Sequence, residues 1–119
     1  MTDLDALSQW IEGYVRAWNT NDPADIGRLF TDDASYSTAP YTPPWQGRDK
    51  IVAGWLAHRD DPGETSFEWE PISLTDDVSV IRGTTRYPGA IYGNLWVIRL
   101  ARDGRCREFS EWWMEYPRD

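Results

Sequence analysis

Glu111 is the residue of this sequence with the clearest chemical potential. It stands in the last stretch of the chain, 104–116, among aromatic residues. Alternate residues of an extended strand point to opposite faces, so Glu111 is expected to share one face with Phe109 and Trp113. A carboxylate in such surroundings is partly desolvated, which favours its neutral acid and suits a general acid or base near neutral pH.

A structural role for Glu111 stays open beside the chemical one. The carboxylate could pair with an arginine of a neighbouring strand and so hold the sheet together without catalysing anything. The candidate partners are Arg82, Arg86 and Arg99. Arg82, Thr84 and Arg86 share one strand face and could clamp a carboxylate ligand. Beside the acidic Glu68 and Glu70 of the preceding strand, they could instead form a ladder of cross-strand ion pairs on the outer face of the sheet.

The first half of the chain predicts three helices. Apolar residues recur there at three- and four-residue spacing. The expected caps are Thr2 or Asp3 for the first helix, Asp22 followed by Pro23 for the second, and Asp49 for the third. An Asp-Asp-Pro-Gly run at 60–63 is expected to end the third helix.

The second half alternates polar and apolar residues and predicts four antiparallel strands joined by short turns. The predicted strands are 66–74, 78–87, 91–101 and 105–116. A further short strand at 34–37 precedes an aromatic, proline-rich loop without regular structure at 38–47. The fold class is therefore α+β, a cone in which three N-terminal helices pack on a curved, mainly antiparallel sheet. Residues 1–119 are expected to form one domain.

Composition narrows the range of partners and cofactors. The 119 residues carry a formal net charge of −8, which argues against nucleic acid and against an anionic membrane surface. One cysteine excludes an internal disulfide. One histidine and no paired cysteines make a metal site unexpected, and we expect no cofactor. The first residues lack the pattern of a signal peptide, so a cytoplasmic location is expected.

Four short motifs follow one another along nearly the whole chain. They are Tyr14-Val-Arg-Ala-Trp-Asn-Thr-Asn-Asp22, Leu29-Phe-Thr-Asp-Asp-Ala34, Gly47-Arg-Asp-Lys-Ile51 and Arg102-Asp-Gly-Arg105. In this order and spacing the chain resembles the NTF2-like superfamily, specifically its SnoaL-like and ketosteroid-isomerase-like branches. That superfamily contains isomerases, cyclases, epoxide hydrolases, dehydratases and binding modules, so the resemblance implies a fold and leaves function to the site.

The resemblance implies different things for different catalytic positions. Tyr14 falls where ketosteroid isomerases place the tyrosine that donates to the developing enolate oxygen. The general-base aspartate of those enzymes corresponds to Thr38, and their second oxyanion donor corresponds to Trp96, so steroid isomerisation is not expected. The aspartate that SnoaL-like cyclases carry on the final strand matches Glu111.

The same resemblance implies an aromatic cavity that binds a small hydrophobic molecule. The expected lining is Tyr14, Trp96, Phe109, Glu111 and Trp113, with Thr38 and either Tyr36 or Tyr41 near the mouth. The leading hypothesis is a SnoaL-like protein acting as a cofactor-free cyclase or isomerase, by proton transfer next to a carbonyl, with Glu111 as acid/base and Tyr14 as hydrogen-bond donor. The alternative is a binding or accessory module of the same fold that performs no chemistry.

The outer face of the predicted last strand suggests a partner surface. Trp112, Met114 and Tyr116 alternate there, and an apolar aromatic patch of this size is usually covered by another protein. Many members of the resembled superfamily pair through this face. A homodimer is therefore expected.

Overall fold

The structure is a computed structural model that describes residues 3–39, 41–58 and 66–117. Within these ranges the chain forms three α-helices and one six-stranded β-sheet. The helices are α1 (Leu4–Thr20), α2 (Pro23–Gly27) and α3 (Arg48–Ala57). The strands are β1 (Phe30–Ser37), β2 (Trp45–Gln46), β3 (Ser66–Leu74), β4 (Ser79–Tyr87), β5 (Ala90–Leu100) and β6 (Cys106–Glu115).

The long helix α1 begins after Asp3, one of its two predicted caps. The Asp3 carboxylate accepts a hydrogen bond from the Ala6 amide at 2.8 Å, which satisfies one of the unpaired donors of the first turn. Asn21 ends the helix in the left-handed conformation, with φ 51°, and its amide donates to Ala17. The buried side of the helix is formed by Leu7, Trp10, Ile11, Tyr14 and Ala17.

The sheet has the strand order β2-β1-β6-β5-β4-β3. Strands β3 to β6 form the predicted antiparallel meander. Strand β1 lies parallel to β6, with Tyr36 opposite Phe109, which brings the first strand of the chain beside the last. The helices cover one face, here called the inner face, while the other is the outer face of the sheet.

Three local predictions were wrong in detail. The strand predicted at 34–37 begins earlier, at Phe30, because Phe30 pairs with Cys106 and the Cys106 amide donates to the Leu29 carbonyl. The loop 38–47 contains β2, which pairs with β1. Helix α3 begins at Arg48 after Gly47, whose φ of 91° suits glycine, and has no side-chain cap. The stop predicted at 60–63 lies outside the described residues.

Aromatic side chains form much of the core between the helices and the inner face. The Tyr14 ring lies 4.6 Å from that of Trp96 and 5.5 Å from that of Phe109, measured between ring centroids. Phe67 of β3 stacks on Trp96 from the other side, also at 4.6 Å. Large rings bury much apolar area with few rotatable bonds, so they fix the position of α1 on the sheet.

Candidate functional site

A cavity of about 990 Å³ lies between the helices and the inner face of the sheet. Every long element of the fold except β3 contributes to its wall. The lining residues are Tyr14, Trp18, Tyr36, Thr38, Thr42, Trp45, Trp55, His58, Thr85, Tyr87, Gly89, Ala90, Tyr92, Asn94, Glu111 and Trp113. Aromatic walls with a few polar groups are the usual make-up of a small-molecule site.

Glu111 lies in this wall and is joined to two tyrosines. The Tyr36 hydroxyl donates to Glu111 Oε2 at 2.9 Å. The hydroxyls of Tyr14 and Tyr36 lie 2.8 Å apart. Because a carboxylate only accepts, the single hydroxyl proton of Tyr36 is used toward Glu111, and Tyr14 must be the donor to Tyr36. The three side chains therefore form one chain of hydrogen bonds that ends on the carboxylate.

The surroundings of the Tyr36 hydroxyl keep it protonated. Tyr36 is almost fully buried, and this burial, followed by the nearby Glu111 carboxylate, raises its pKa well above the usual value for tyrosine. A tyrosine that stays neutral remains a donor throughout the pH range in which proteins work. The carboxylate orientation is therefore fixed by a donor that does not titrate there.

Of the three candidate arginine partners of Glu111, two form ion pairs with other residues and the third lies on the other face of the sheet. Arg82 forms an ion pair with Glu70 across β3 and β4, which is one pair of the ladder predicted for the outer face. Arg99 contacts Asp77 and, at 3.5 Å, Glu108. Arg86 lies on β4 four residues after Arg82, on the outer face, while Glu111 lies in the inner cavity.

The structure brings most of the predicted site residues together. Tyr14, Tyr36, Thr38, Glu111 and Trp113 all border the cavity. The alternation predicted for the last strand is confirmed, since Glu111 lies opposite Trp96 and Trp113 lies opposite Asn94 on β5.

Three residues do not lie where the sequence placed them. Trp96 and Phe109 were expected in the cavity wall, but both are completely buried beneath it. They face inward as predicted, yet Tyr14 and Phe67 cover Trp96. Tyr41 was one of two candidates for the mouth, and its side chain is fully exposed to solvent, on a residue with a φ of 64°.

Several lining residues were missed by the sequence analysis. Asn94 and Thr85 border the cavity as a buried polar pair in which Thr85 Oγ1 donates to Asn94 Oδ1 at 2.6 Å. A polar residue within an otherwise apolar row of alternate strand positions was a signal for Asn94. Trp45 and His58 stack at the wall, with ring centroids 6.0 Å apart, but no sequence pattern links them.

Other kinds of site find little support in the described ranges. Residues 3–39, 41–58 and 66–117 hold no group of three or more His, Cys, Asp or Glu side chains placed to bind a metal ion. Within the same ranges, no helix combines the length and the apolar character needed to cross a membrane.

The chain belongs to the SnoaL-like domain family, whose sequence model matches residues 11–110. The resemblance noted from the four motifs is thereby confirmed. A comparison with functionally curated proteins gives no match.

Solved structures share the fold along almost the whole chain. An NTF-2 like protein of unknown function from Burkholderia xenovorans is 16% identical, with a TM-score of 0.73, over 97% of this chain and 88% of that one. The epoxide hydrolase/cyclase-like enzyme SalBIII, of pyran ring formation in salinomycin, is 16% identical, with a TM-score of 0.72, over 96% and 95%. A ketosteroid isomerase-like protein from Erwinia carotovora is 19% identical, with a TM-score of 0.66, over 96% and 97%. At these identities the likeness concerns the fold, which is an α+β NTF2-like fold with a curved six-stranded sheet.

Proposed function

We propose that this protein binds a small, hydrophobic, carbonyl-bearing molecule in the inner cavity and acts on it as a cofactor-free isomerase or cyclase. Glu111 is the acid/base that moves a proton at the carbon next to the carbonyl. Tyr36 and Tyr14 are positioning residues, because they act through the carboxylate. Some proteins of the same fold are described as isomerases or as cyclase-like enzymes, which supports the reaction class.

The observation that carries this proposal is the hydrogen-bonded Glu111 in an aromatic cavity. A general base has to be held at a fixed position, and the Tyr36 hydroxyl holds Glu111 while the surrounding rings shield it in part from water. The cavity walls favour a planar ligand, because six lining residues besides Tyr14 and Tyr36 carry an aromatic ring of Trp or Tyr. They are Trp18, Trp45, Trp55, Tyr87, Tyr92 and Trp113.

Proton exchange on a simple planar ketone tests this function without knowledge of the natural substrate. In heavy water the methyl protons of acetonaphthone are replaced by deuterium whenever a base removes them, which NMR follows directly. Wild-type protein should accelerate the exchange over buffer. Glu111→Gln should lose about 10²- to 10⁴-fold of that acceleration, the usual contribution of a positioned base. Tyr36→Phe should lose less, because the base remains but its orientation is no longer fixed.

The matched control is Glu108→Gln, which removes a carboxylate from the same strand. Glu108 is exposed and contacts Arg99, so exchange should stay at the wild-type rate. Equal rates for wild type and Glu111→Gln would refute the assignment of Glu111.

A binding module without chemistry is the second candidate, and the Tyr36 contact is the observation in its favour. Glu111 Oε2 already accepts a hydrogen bond from the protein, as a purely structural carboxylate does. In that case acetonaphthone binds to wild type while its exchange stays at the rate of buffer. The same NMR experiment therefore separates the two functions.

A further inference from the structure

The Asn94 side chain offers the cavity amide N–H donors that the described protein groups do not use. Asn94 is only 6% exposed and borders the cavity. Its Oδ1 accepts from Thr85, whereas its Nδ2 donates no hydrogen bond within the described residues. Among the described residues, the buried side-chain atoms without a partner are Ser79 Oγ and Trp96 Nε1, so Asn94 Nδ2 keeps access to the cavity, where a ligand can supply its acceptor.

Thr85 determines which end of the amide faces the cavity. Its hydroxyl donates to Asn94 Oδ1 at 2.6 Å, and both side chains are buried. The amide is planar, so holding Oδ1 against β4 turns Nδ2 away from it. The contact thus presents two N–H donors at one defined place in the wall.

Asn94 and Glu111 are neighbours on the inner face. On the paired strands β5 and β6, Trp96 lies opposite Glu111 and Asn94 lies opposite Trp113, so Asn94 and Glu111 are diagonal to each other. Diagonal positions lie roughly 7–8 Å apart, which leaves room between the two side chains for a small group such as a carbonyl and its neighbouring carbon.

Tyr14 is poorly placed for the donor role that the sequence analysis gave it. Its hydroxyl proton goes to Tyr36, whose proton goes to Glu111, so both protons are used within the protein. The Nδ2 group of Asn94 carries two protons, and neither of them is used in these contacts.

We propose that Asn94 Nδ2 donates to the carbonyl oxygen of a ketone substrate whose neighbouring carbon loses a proton to Glu111. In this step the C–H bond breaks, its proton moves to the Glu111 carboxylate and its electron pair forms the carbon–carbon double bond of an enolate. The negative charge passes to the oxygen, where the amide stabilises it. Return of the proton to carbon completes the cycle and regenerates the carboxylate. This inference rests on the proposed function, since it names the group that binds the substrate oxygen.

Two ligands that differ in one atom test the inference. Acetonaphthone has a carbonyl oxygen where isopropenylnaphthalene has a methylene group, and calorimetry gives the dissociation constant of each. Asn94→Leu should shift the ratio of the two constants by about 10-fold against the ketone, the value of one hydrogen bond. Asn94→Leu alone leaves the buried Thr85 hydroxyl without its acceptor and could fail to fold for that reason. The double variant Thr85→Val with Asn94→Leu removes this hydroxyl as well and should show the same shift.

Two further variants separate recognition of the oxygen from general damage. Thr85→Val keeps the amide but frees its orientation, so it should lose part of the preference for the ketone. Thr84→Val makes the same change one residue away on the outer face and should retain the wild-type ratio.

Each outcome bears on the inference separately from the proposed function. A preference for the ketone that disappears with Asn94 supports the inference, even if wild type catalyses no exchange and the proposed function fails. Exchange that depends on Glu111 but is unchanged in the double variant supports the function and overturns the inference. A wild-type protein that binds neither ligand, or both equally well, also overturns it.

Discussion

At the scale of single residues, Tyr36 is the residue that connects Glu111 to Tyr14. Its hydroxyl donates to Glu111 Oε2, and it receives a hydrogen bond from Tyr14 on a different element. Hydrogen bonds in series strengthen one another in surroundings of low dielectric constant. The carboxylate consequently has a fixed direction in a cavity whose walls are largely apolar.

Titration of the Cys106 thiol makes the stability of the protein depend on pH. The thiol is fully buried at the start of β6 and donates to the Glu108 carbonyl at 3.2 Å. Burial raises its pKa from the usual 9.0 to about 12. The folded state therefore keeps this proton at a pH where the unfolded chain has lost it, so stability is present below pH 9 and declines above it.

Replacing Cys106 with Ser should remove that decline. Between pH 7.5 and 10 the thiol alone should lower the free energy of unfolding of wild type by about 1.4 kcal/mol. Urea unfolding at the two pH values measures the change. Cys106→Ser keeps a hydroxyl donor but does not titrate in this range, so its stability should change less by that amount. Equal losses in the two proteins would show that the thiol is not responsible.

At the scale of elements, α3 packs so closely against Trp45 of β2 that its position 54 has to be glycine. A Cβ atom added to Gly54 would lie 2.5 Å from the Trp45 ring, a distance that atoms of this kind do not tolerate. Trp45 in turn packs against Tyr36, with ring centroids 4.9 Å apart, and stacks on His58. The place of α3 thus sets the place of one cavity wall.

Gly54→Ala should destabilise the protein by about 1–3 kcal/mol although alanine favours helices, because the displaced Trp45 outweighs the gain in helix propensity. Acetonaphthone should also bind more weakly. The matched control is Gly13→Ala on α1, where the added atom meets only the end of the flexible Leu29 side chain at 3.1 Å. That variant should be unchanged or up to about 1 kcal/mol more stable in urea unfolding. A Gly54→Ala protein as stable as the Gly13→Ala protein would contradict this account.

At the scale of the whole molecule, the outer face carries the apolar surface that remains. Three exposed large hydrophobic residues lie on this face in one short stretch at the end of β6: Trp112, Met114 and Tyr116. The side chain of Met114 is 77% exposed. The same face holds both charges of the pair formed by Arg82 and Glu70, so two copies could meet there with opposite charges facing each other.

We expect a homodimer through this outer face, and light scattering after size exclusion at micromolar concentration measures it. Met114→Glu should shift the protein to the monomer, because each copy would bury an additional unpaired charge in the interface. Ile72→Glu adds the same charge at another exposed apolar position, outside the groove that Trp112, Met114 and Tyr116 line, and should leave the dimer intact. A monomeric wild type would overturn the expectation.

The sequence by itself determined the long elements, though not β2 or the start of β1, and the buried faces of α1 and β6. The spacing of apolar residues on α1 and the alternation along β3 to β6 repeat the geometry of a helix and a strand, so they predict direction directly. The same alternation was enough to place Glu111 and Trp113 on the inner face. The four motifs were enough for the family.

Only the tertiary structure decided how deep each inward residue lies and what it touches. Trp96 and Glu111 lie on the same face, yet the ring is buried under α1 while the carboxylate reaches the cavity. The contact between Tyr36 and Glu111 joins residues 75 positions apart, and it depends on β1 lying parallel to β6. Periodicity is a property of neighbouring residues, whereas depth and long-range contacts depend on the curvature of the sheet and on the helices that close over it.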